Sequence, residues 1–275
     1  MSEIPLPRGD VTEGVVRVGA TVRRPRGAHS AAVAGYLRHL ESAGFDGSPR
    51  WLGVDEQGRD ILEYMEGDVP GAPPEPWSAT DEVLAGVGRL LRALHDASAG
   101  YRPPPDAVWF GAEVTVELPA EVAELSEGLD LVTQCDVTPQ NVVFRDGVAV
   151  AVIDYDLTRP TTRLLDVVNT AMHWVPLKHP DDREEVYTGI DPARRLRILV
   201  DAYGLGPAER DRFVDTSQLA ALRTWHRMKA NAEQLGGGWR RMWDEGVGDR
   251  ILRRRRWIVE ERERIEIALA ASGRG

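Results

Sequence analysis

Three polar residues in the stretch 133–156, TQCDVTPQNVVFRDGVAVAVIDYD, have the types and spacing to do chemistry. Asp136 precedes the pair Gln140-Asn141, and Asn141 opens a short apolar run, Val142-Val143-Phe144. Arg145-Asp146-Gly147 then makes a turn, Asp-Gly being a strong hairpin signal. A second apolar run, residues 148–153, returns to Asp154, with Asp156 two positions on. Folded back on itself, the hairpin gathers Asp136, Asn141 and Asp154 at one end. Such a trio suits phosphoryl transfer, where the protein positions a hydroxyl, accepts its proton and holds a divalent cation against phosphates. Mg²⁺ takes one or two protein oxygens and keeps water and phosphate oxygens for the rest. Asn141 and Asp154 are therefore the candidate metal ligands, and Asp136 is left as the candidate catalytic base. A hairpin with ordinary turn carboxylates is the plainer alternative.

The pattern D-x-x-x-x-N, a hairpin, then Ile153-Asp154-Tyr155-Asp156 resembles the catalytic and metal-binding loops of the aminoglycoside phosphotransferase family, which is kinase-like. That family usually reads H-G-D where this chain has Gln134-Cys135-Asp136, so Gln134 replaces a histidine that braces the loop. The resemblance implies a two-lobed, protein-kinase-like α+β fold with a small β-rich N-terminal lobe and a larger, mainly helical C-terminal lobe. Residues 1–67 are then the nucleotide-binding lobe, with a hinge at 63–67, and residues 68–275 the catalytic and substrate-binding lobe. It also implies Mg²⁺, ATP or GTP as phosphate donor, and transfer of the γ-phosphate to a hydroxyl of a small molecule. An aminoglycoside is the namesake acceptor, with antibiotic resistance as the corresponding role. A nucleotide-binding pseudokinase or scaffold of the same fold, without transfer activity, is the alternative.

The elements that must hold this centre can be traced along the chain. Residues 15–18 and 21–24 are β-rich runs separated by Gly19-Ala20, a two-residue hairpin signal. In the preceding loop, Gly9, Thr12 and Gly14 are candidates for covering phosphates, because glycine lets backbone N–H groups approach an anion; an ordinary turn is the other reading. A kinase-like lobe carries a strand lysine on the phosphates, but the first lysine here is Lys178. Arg24 is the candidate cation in its place, able to grip phosphate bidentately; a solvated edge charge that discourages aggregation is the competing reading. Residues 29–43 are helical by the recurrence of Val33, Tyr36, Leu37 and Leu40. Laid on the family's pattern, Val33 falls where its helix glutamate would stand. Residues 51–54 and 60–65 read as strands, and Glu63 and Met65 fall in the segment where the family's backbone holds adenine.

Residues 78–98 form an amphipathic helix, Ser78 and Asp81 resembling a capping box. His95 at its end reads as a packed or capping histidine. The run from Glu113 to Asp130 has six acidic residues and no basic one, either a surface for a cationic substrate or a solvated face. Asp166 matches a family aspartate that braces the catalytic loop through backbone N–H bonds. Asp156 either assists the metal or caps a turn. The remainder is helical: residues 164–175, 192–203, one or two helices over 207–235, a break at 236–238, and a long charged helix over 251–271. Trp225, Trp239, Trp243 and Trp257 there either line a cleft or pack helices together.

A chain of 275 residues can bury a large core. A net charge of −10, from 34 basic and 44 acidic residues, argues against a general nucleic-acid binder. It is compatible with a small-molecule partner that is cationic. The lone cysteine, Cys135, excludes an intrachain disulfide and points to a reducing compartment. A catalytic thiol lacks a nearby histidine to activate it. No apolar run is long enough for a membrane span or a signal peptide, so a cytoplasmic protein without membrane partners is expected.

Overall fold

The computed structural model describes residues 2–6 and 14–270. The N-terminal part is a five-stranded antiparallel sheet with order β1-β2-β3-β5-β4. It comprises β1 (Ile4–Pro5), β2 (Val16–Val18), β3 (Thr21–Arg24), β4 (Trp51–Val54) and β5 (Asp60–Glu63). Gly19-Ala20 makes the tight turn between β2 and β3, as its composition foretold. β3 is an interior strand, flanked by β2 and β5, so Arg23 and Arg24 are not edge charges. β5 ends at Glu63, two residues before the apolar run does.

Helix α1 (Ser30–Ser42) crosses from β3 to β4. Its apolar stripe follows the 3.6-residue period, and Tyr36, Leu37 and Leu40 are fully buried. Each such leucine contributes roughly 2 kcal/mol by leaving water. These side chains join one continuous core with helix α2 (Asp81–Ser98) and the hairpin at 142–152. The cap of α2 is Thr80, whose hydroxyl accepts from Val83 N–H at 3.3 Å. Ser78 instead closes a 3₁₀ turn, Pro76–Ala79, because Pro76 starts that turn ahead of the helix.

Beyond α2, the acidic stretch holds the short α3 (Ala120–Ala123) and a 3₁₀ turn over Glu124–Ser126, and its six carboxylates are exposed. Two small antiparallel ladders follow: β6 (Leu131–Thr133) pairs with β9 (Arg159–Thr161), and β7 (Val142–Arg145) with β8 (Val148–Val152). Asp146 and Gly147 turn the second hairpin with both residues at positive φ, as a two-residue hairpin loop of that type demands. The connection after β5 docks on this hairpin, Asp68 and Phe144 exchanging backbone hydrogen bonds of 2.8 Å. Gly67 permits the approach: a Cβ there would lie 2.4 Å from the Phe144 carbonyl oxygen.

The rest is helical. α4 (Arg163–Trp174) and α5 (Pro192–Tyr203) are capped by Thr162 and Asp191. The single long helix α6 (Pro207–Gln234) packs against α4, α7 (Gly237–Asp244), α8 (Val247–Glu260) and α9 (Arg262–Ala270). The long charged helix expected over 251–271 is broken at Glu261 into α8 and α9, which lets Ile258 and Ile265 both reach the core. Trp257 is buried there, while Trp225 and Trp243 stack edge to face at 5.7 Å, so these three pack helices. No helix among the described residues is long and apolar enough to cross a membrane.

Candidate active site

The hairpin positions the polar residues by backbone pairing. Asn141 sits at the foot of β7, where its carbonyl accepts from Ile153 N–H at 2.8 Å, so the chain just before Asp154 is tied to it. The Asn141 amide donates to Asp136 Oδ2 at 2.8 Å and to the Asp136 carbonyl at 2.9 Å. Asp136 and Asn141 are thereby brought together. The Asn141 Oδ1 oxygen makes no hydrogen bond among the described residues, and neither does Asp154 Oδ2. Two oxygen donors of this kind fit Mg²⁺, which asks little more of a protein. Among the described residues no three His, Cys, Asp or Glu side chains group into a metal site of their own.

Gln134 is fully buried. Its side-chain carbonyl accepts the Asp136 N–H at 2.7 Å. Its amide nitrogen lies 3.2, 3.1 and 2.6 Å from the carbonyl oxygens of Asp136, Ile153 and Asp154. The residue standing in the histidine's place thus ties the catalytic loop to the strand end that carries Asp154. Cys135 is buried and its Sγ faces the Arg159 carbonyl at 3.7 Å. Burial pushes its thiol up to about 12, so it is a neutral packing group and not a nucleophile.

Burial raises the Asp136 carboxyl to about 7, aided by the Asp154 charge and opposed by Arg159 and the Asn141 hydrogen bond. A base with that affinity is well matched to a neutral reaction medium. Among the described residues Asp166 takes no backbone N–H group of the loop 134–141. It accepts from His95 Nε2 at 2.9 Å, and His95 Nδ1 lies 2.8 Å from the Tyr203 hydroxyl, all inside the core. His95 is therefore a packed histidine linking α2, α4 and α5.

Arg24 meets the centre from the sheet. Its Nη2 lies 3.0 Å from Asp154 Oδ1 and also bonds Asp156. Burial opposes its charge, but the two carboxylates outweigh burial and raise its pKa. Arg24, Val33, Leu37, Trp51, Leu62 and Asp154 share one cleft. Val33 faces the cleft with no charge to offer, so the guanidinium finds its counter-ions across the cleft. Glu63 ends β5 and its N–H is taken by the Arg50 carbonyl at 2.9 Å. Met65 follows, half-buried, and its N–H makes no hydrogen bond among the described residues. Gly14 has φ +78, while Gly9 and Thr12 lie outside the described residues.

Three arginines escaped the sequence reading. Arg159 in β9 acts electrostatically on Asp136, and Arg223 and Arg227 of α6 stand beside Arg159. Their signal was a pair of arginines four apart with no acid in the adjoining turns.

No family model matches the chain. The trifolitoxin immunity protein of Rhizobium leguminosarum bv. trifolii is 35% identical over 220 residues, which is 78% of this chain and 78% of that protein. Among solved structures, a choline/ethanolamine kinase family protein from Mesorhizobium loti superposes with a TM-score of 0.60 at 20% identity, covering 98% of this chain and 92% of that one. Amicoumacin kinase, in complex with AMP-PNP, Ca²⁺ and Ami, gives 0.58 at 11% identity, covering 94% and 88%. Aminoglycoside 2′-phosphotransferase-IIIa, in its GDP complex, gives 0.52 at 12% identity, covering 98% and 93%. At such identities the likeness is one of fold, the two-lobed kinase-like α+β architecture.

Proposed function

The chain belongs to the same family as the trifolitoxin immunity protein and carries the kinase-like fold of the aminoglycoside phosphotransferases, and from that premise we propose that it transfers the γ-phosphate of ATP or GTP to a hydroxyl of a small molecule in the cytoplasm. The observation that carries this reading is the buried Gln134 joint, which holds Asp136, Asn141 and Asp154 in one constellation without any ligand. Asp136 accepts the hydroxyl proton as the oxygen attacks phosphorus. Asn141 Oδ1 and Asp154 Oδ2 would hold Mg²⁺, which would neutralise charge on the phosphates. Arg24 and the loop containing Gly9, Thr12 and Gly14 contact the phosphates. The segment 63–67 is the hinge between lobes 1–67 and 68–275, with the Met65 N–H available to a nucleobase.

The deciding measurement incubates the protein with Mg²⁺, γ-labelled ATP or GTP and a panel of alcohols. The relative is named for immunity to trifolitoxin, so toxins belong in that panel beside aminoglycosides. Transfer that vanishes in Asp136→Ala supports the enzyme. A second reading, a nucleotide-binding scaffold, draws on the Arg24 pairing with Asp154 and Asp156, which sets a cation where the metal would sit. Its signature is a nucleotide-dependent rise in Tm with no transfer to any member of the panel.

A further inference from the structure

Of three cations near Asp136, Arg159 acts on the Asp136 carboxyl and donates to the Leu157 carbonyl at 2.8 Å, whereas Arg223 and Arg227 meet no carboxylate among the described residues. Arg159 lies on β9, paired through the ladder with Thr133, three residues before Asp136. Arg223 and Arg227 lie one turn apart on α6. Arg223 is 9% exposed, and neither it nor Arg227 makes a hydrogen bond or ion pair among the described residues. Burial and the neighbouring guanidiniums press both pKa values down, Arg223 to about 10. The contrast with Arg24, neutralised by two carboxylates, is plain. The exposed acids at 113, 117, 121, 124, 127 and 130 form no ion pair with them among the described residues. A buried charge without a partner, here that of Arg223, is costly to keep, and guanidinium forks are built to grip planar or tetrahedral oxyanions.

We propose that Arg159, Arg223 and Arg227 form an oxyanion receptor on the acceptor side of the site, so that the hydroxyl presented to Asp136 belongs to a hydroxy acid or a phosphorylated alcohol, not to a polycation. This rests on the phosphotransferase reading for the word acceptor. The oxyanion site itself stands on the arginines alone. α6 packs among the C-terminal helices, away from the Arg24 cleft of the sheet, which assigns the receptor to the acceptor and not to the nucleotide.

The test titrates the full chain, without nucleotide and at constant ionic strength, with inorganic phosphate, glycerate and glycerol 3-phosphate. Glycerol and choline chloride are the neutral and cationic controls. The readout is the shift in Tm, repeated on Arg223→Gln, Arg227→Gln and Arg24→Gln. Stabilisation of the wild type and of Arg24→Gln by an anion, with the midpoint weakened about tenfold or more in each α6 variant, is the expected result, since one charge-assisted hydrogen bond contributes that much. A stronger response to glycerate assigns a carboxylate, and one to glycerol 3-phosphate a phosphate. Arg227→Lys keeps the charge but loses the fork, and it replaces any glutamine variant that does not fold. The proposal is overturned if no anion stabilises the protein, if the shift survives the α6 substitutions, or if it disappears in Arg24→Gln. A separate Mg²⁺–ATP and Mg²⁺–GTP titration tells the two readings apart. Nucleotide binding without anion binding sinks the receptor and spares the transferase, whereas anion binding without nucleotide binding does the reverse.

Discussion

The segment 134–154 around the β7–β8 hairpin and the N-terminal sheet meet where Arg24 pairs with Asp154, and they are held by different means. Beside the hairpin the polar groups hold one another: Gln134 accepts the Asp136 N–H and Asn141 donates to the Asp136 carboxylate, over a buried apolar base of Val142, Phe144 and Val152. In the sheet the strands are half-buried and their cations look outward for partners, Arg23 to Asp55 and Arg24 to Asp154 and Asp156. The hairpin is therefore organised before any ligand arrives. The sheet's principal cation is already spent on the carboxylates that a metal would use, so binding there has to exchange one ion pair for another. Preorganised charge costs nothing at the moment of reaction, and only one of these two regions has it.

The largest test removes the hairpin's base. Asp136→Asn keeps the Asn141 contact yet is expected to lower phosphate transfer by roughly 10²–10⁴-fold, followed as label moving from nucleotide to acceptor. The same variant checks the sign of the Asp136 shift. A carboxyl raised to about 7 in the folded state binds protons that the unfolded chain, near 4, has released. The Asp136 contribution to stability therefore falls as pH climbs from about 4 to about 7. Calorimetry should show Asp136→Asn gaining on the wild type across that window, and a constant gap would contradict the assignment.

Next in size is the joint. Gln134→Ala strands the Asp136 N–H and two strand-end carbonyls, so urea unfolding should lose about 3 kcal/mol. A loss below about 1 kcal/mol would mean that the hairpin is no better organised than the sheet. Breaking the comparison from the other side, Arg24→Gln releases Asp154 and Asp156. Titration with Mn²⁺ alone should then show roughly tenfold tighter binding, because an opposing cation within ion-pair distance is gone. Unchanged affinity would show that Arg24 and the metal do not compete. The smallest effect concerns Cys135, held at φ +62 where the family motif has glycine. Cys135→Gly relieves that conformation but loses the buried thiol's packing and loosens the unfolded chain, so these effects should offset to within about 1 kcal/mol in Tm-derived stability.

Much of the hairpin was legible because its determinants are local. Asp146-Gly147 fixes the turn, alternation fixes the strands, and the turn in turn fixes where Asn141 and Asp154 meet. Helix ends were legible where the capping residue had no rival, as at Asp191, and misread where Pro76 started a 3₁₀ turn ahead of Thr80. Arg24 was identified by type and strand face, but its partners lie 130 and 132 positions away. Nothing in a local window forecasts that pairing. The same holds for Arg159 with Arg223 and Arg227, which only the packing of α6 brings together. There a clue existed and carried less weight than the acidic run: two arginines one helical turn apart, with no acid within reach.

Gln134 has one further consequence. An amide neither gains nor loses a proton across the range in which an imidazole titrates. The joint between catalytic loop and metal-side strand is therefore blind to acidity. If Asp136 is the base proposed above, acid removes activity by protonating it without titrating this joint, so the loss of transfer should reverse on neutralisation.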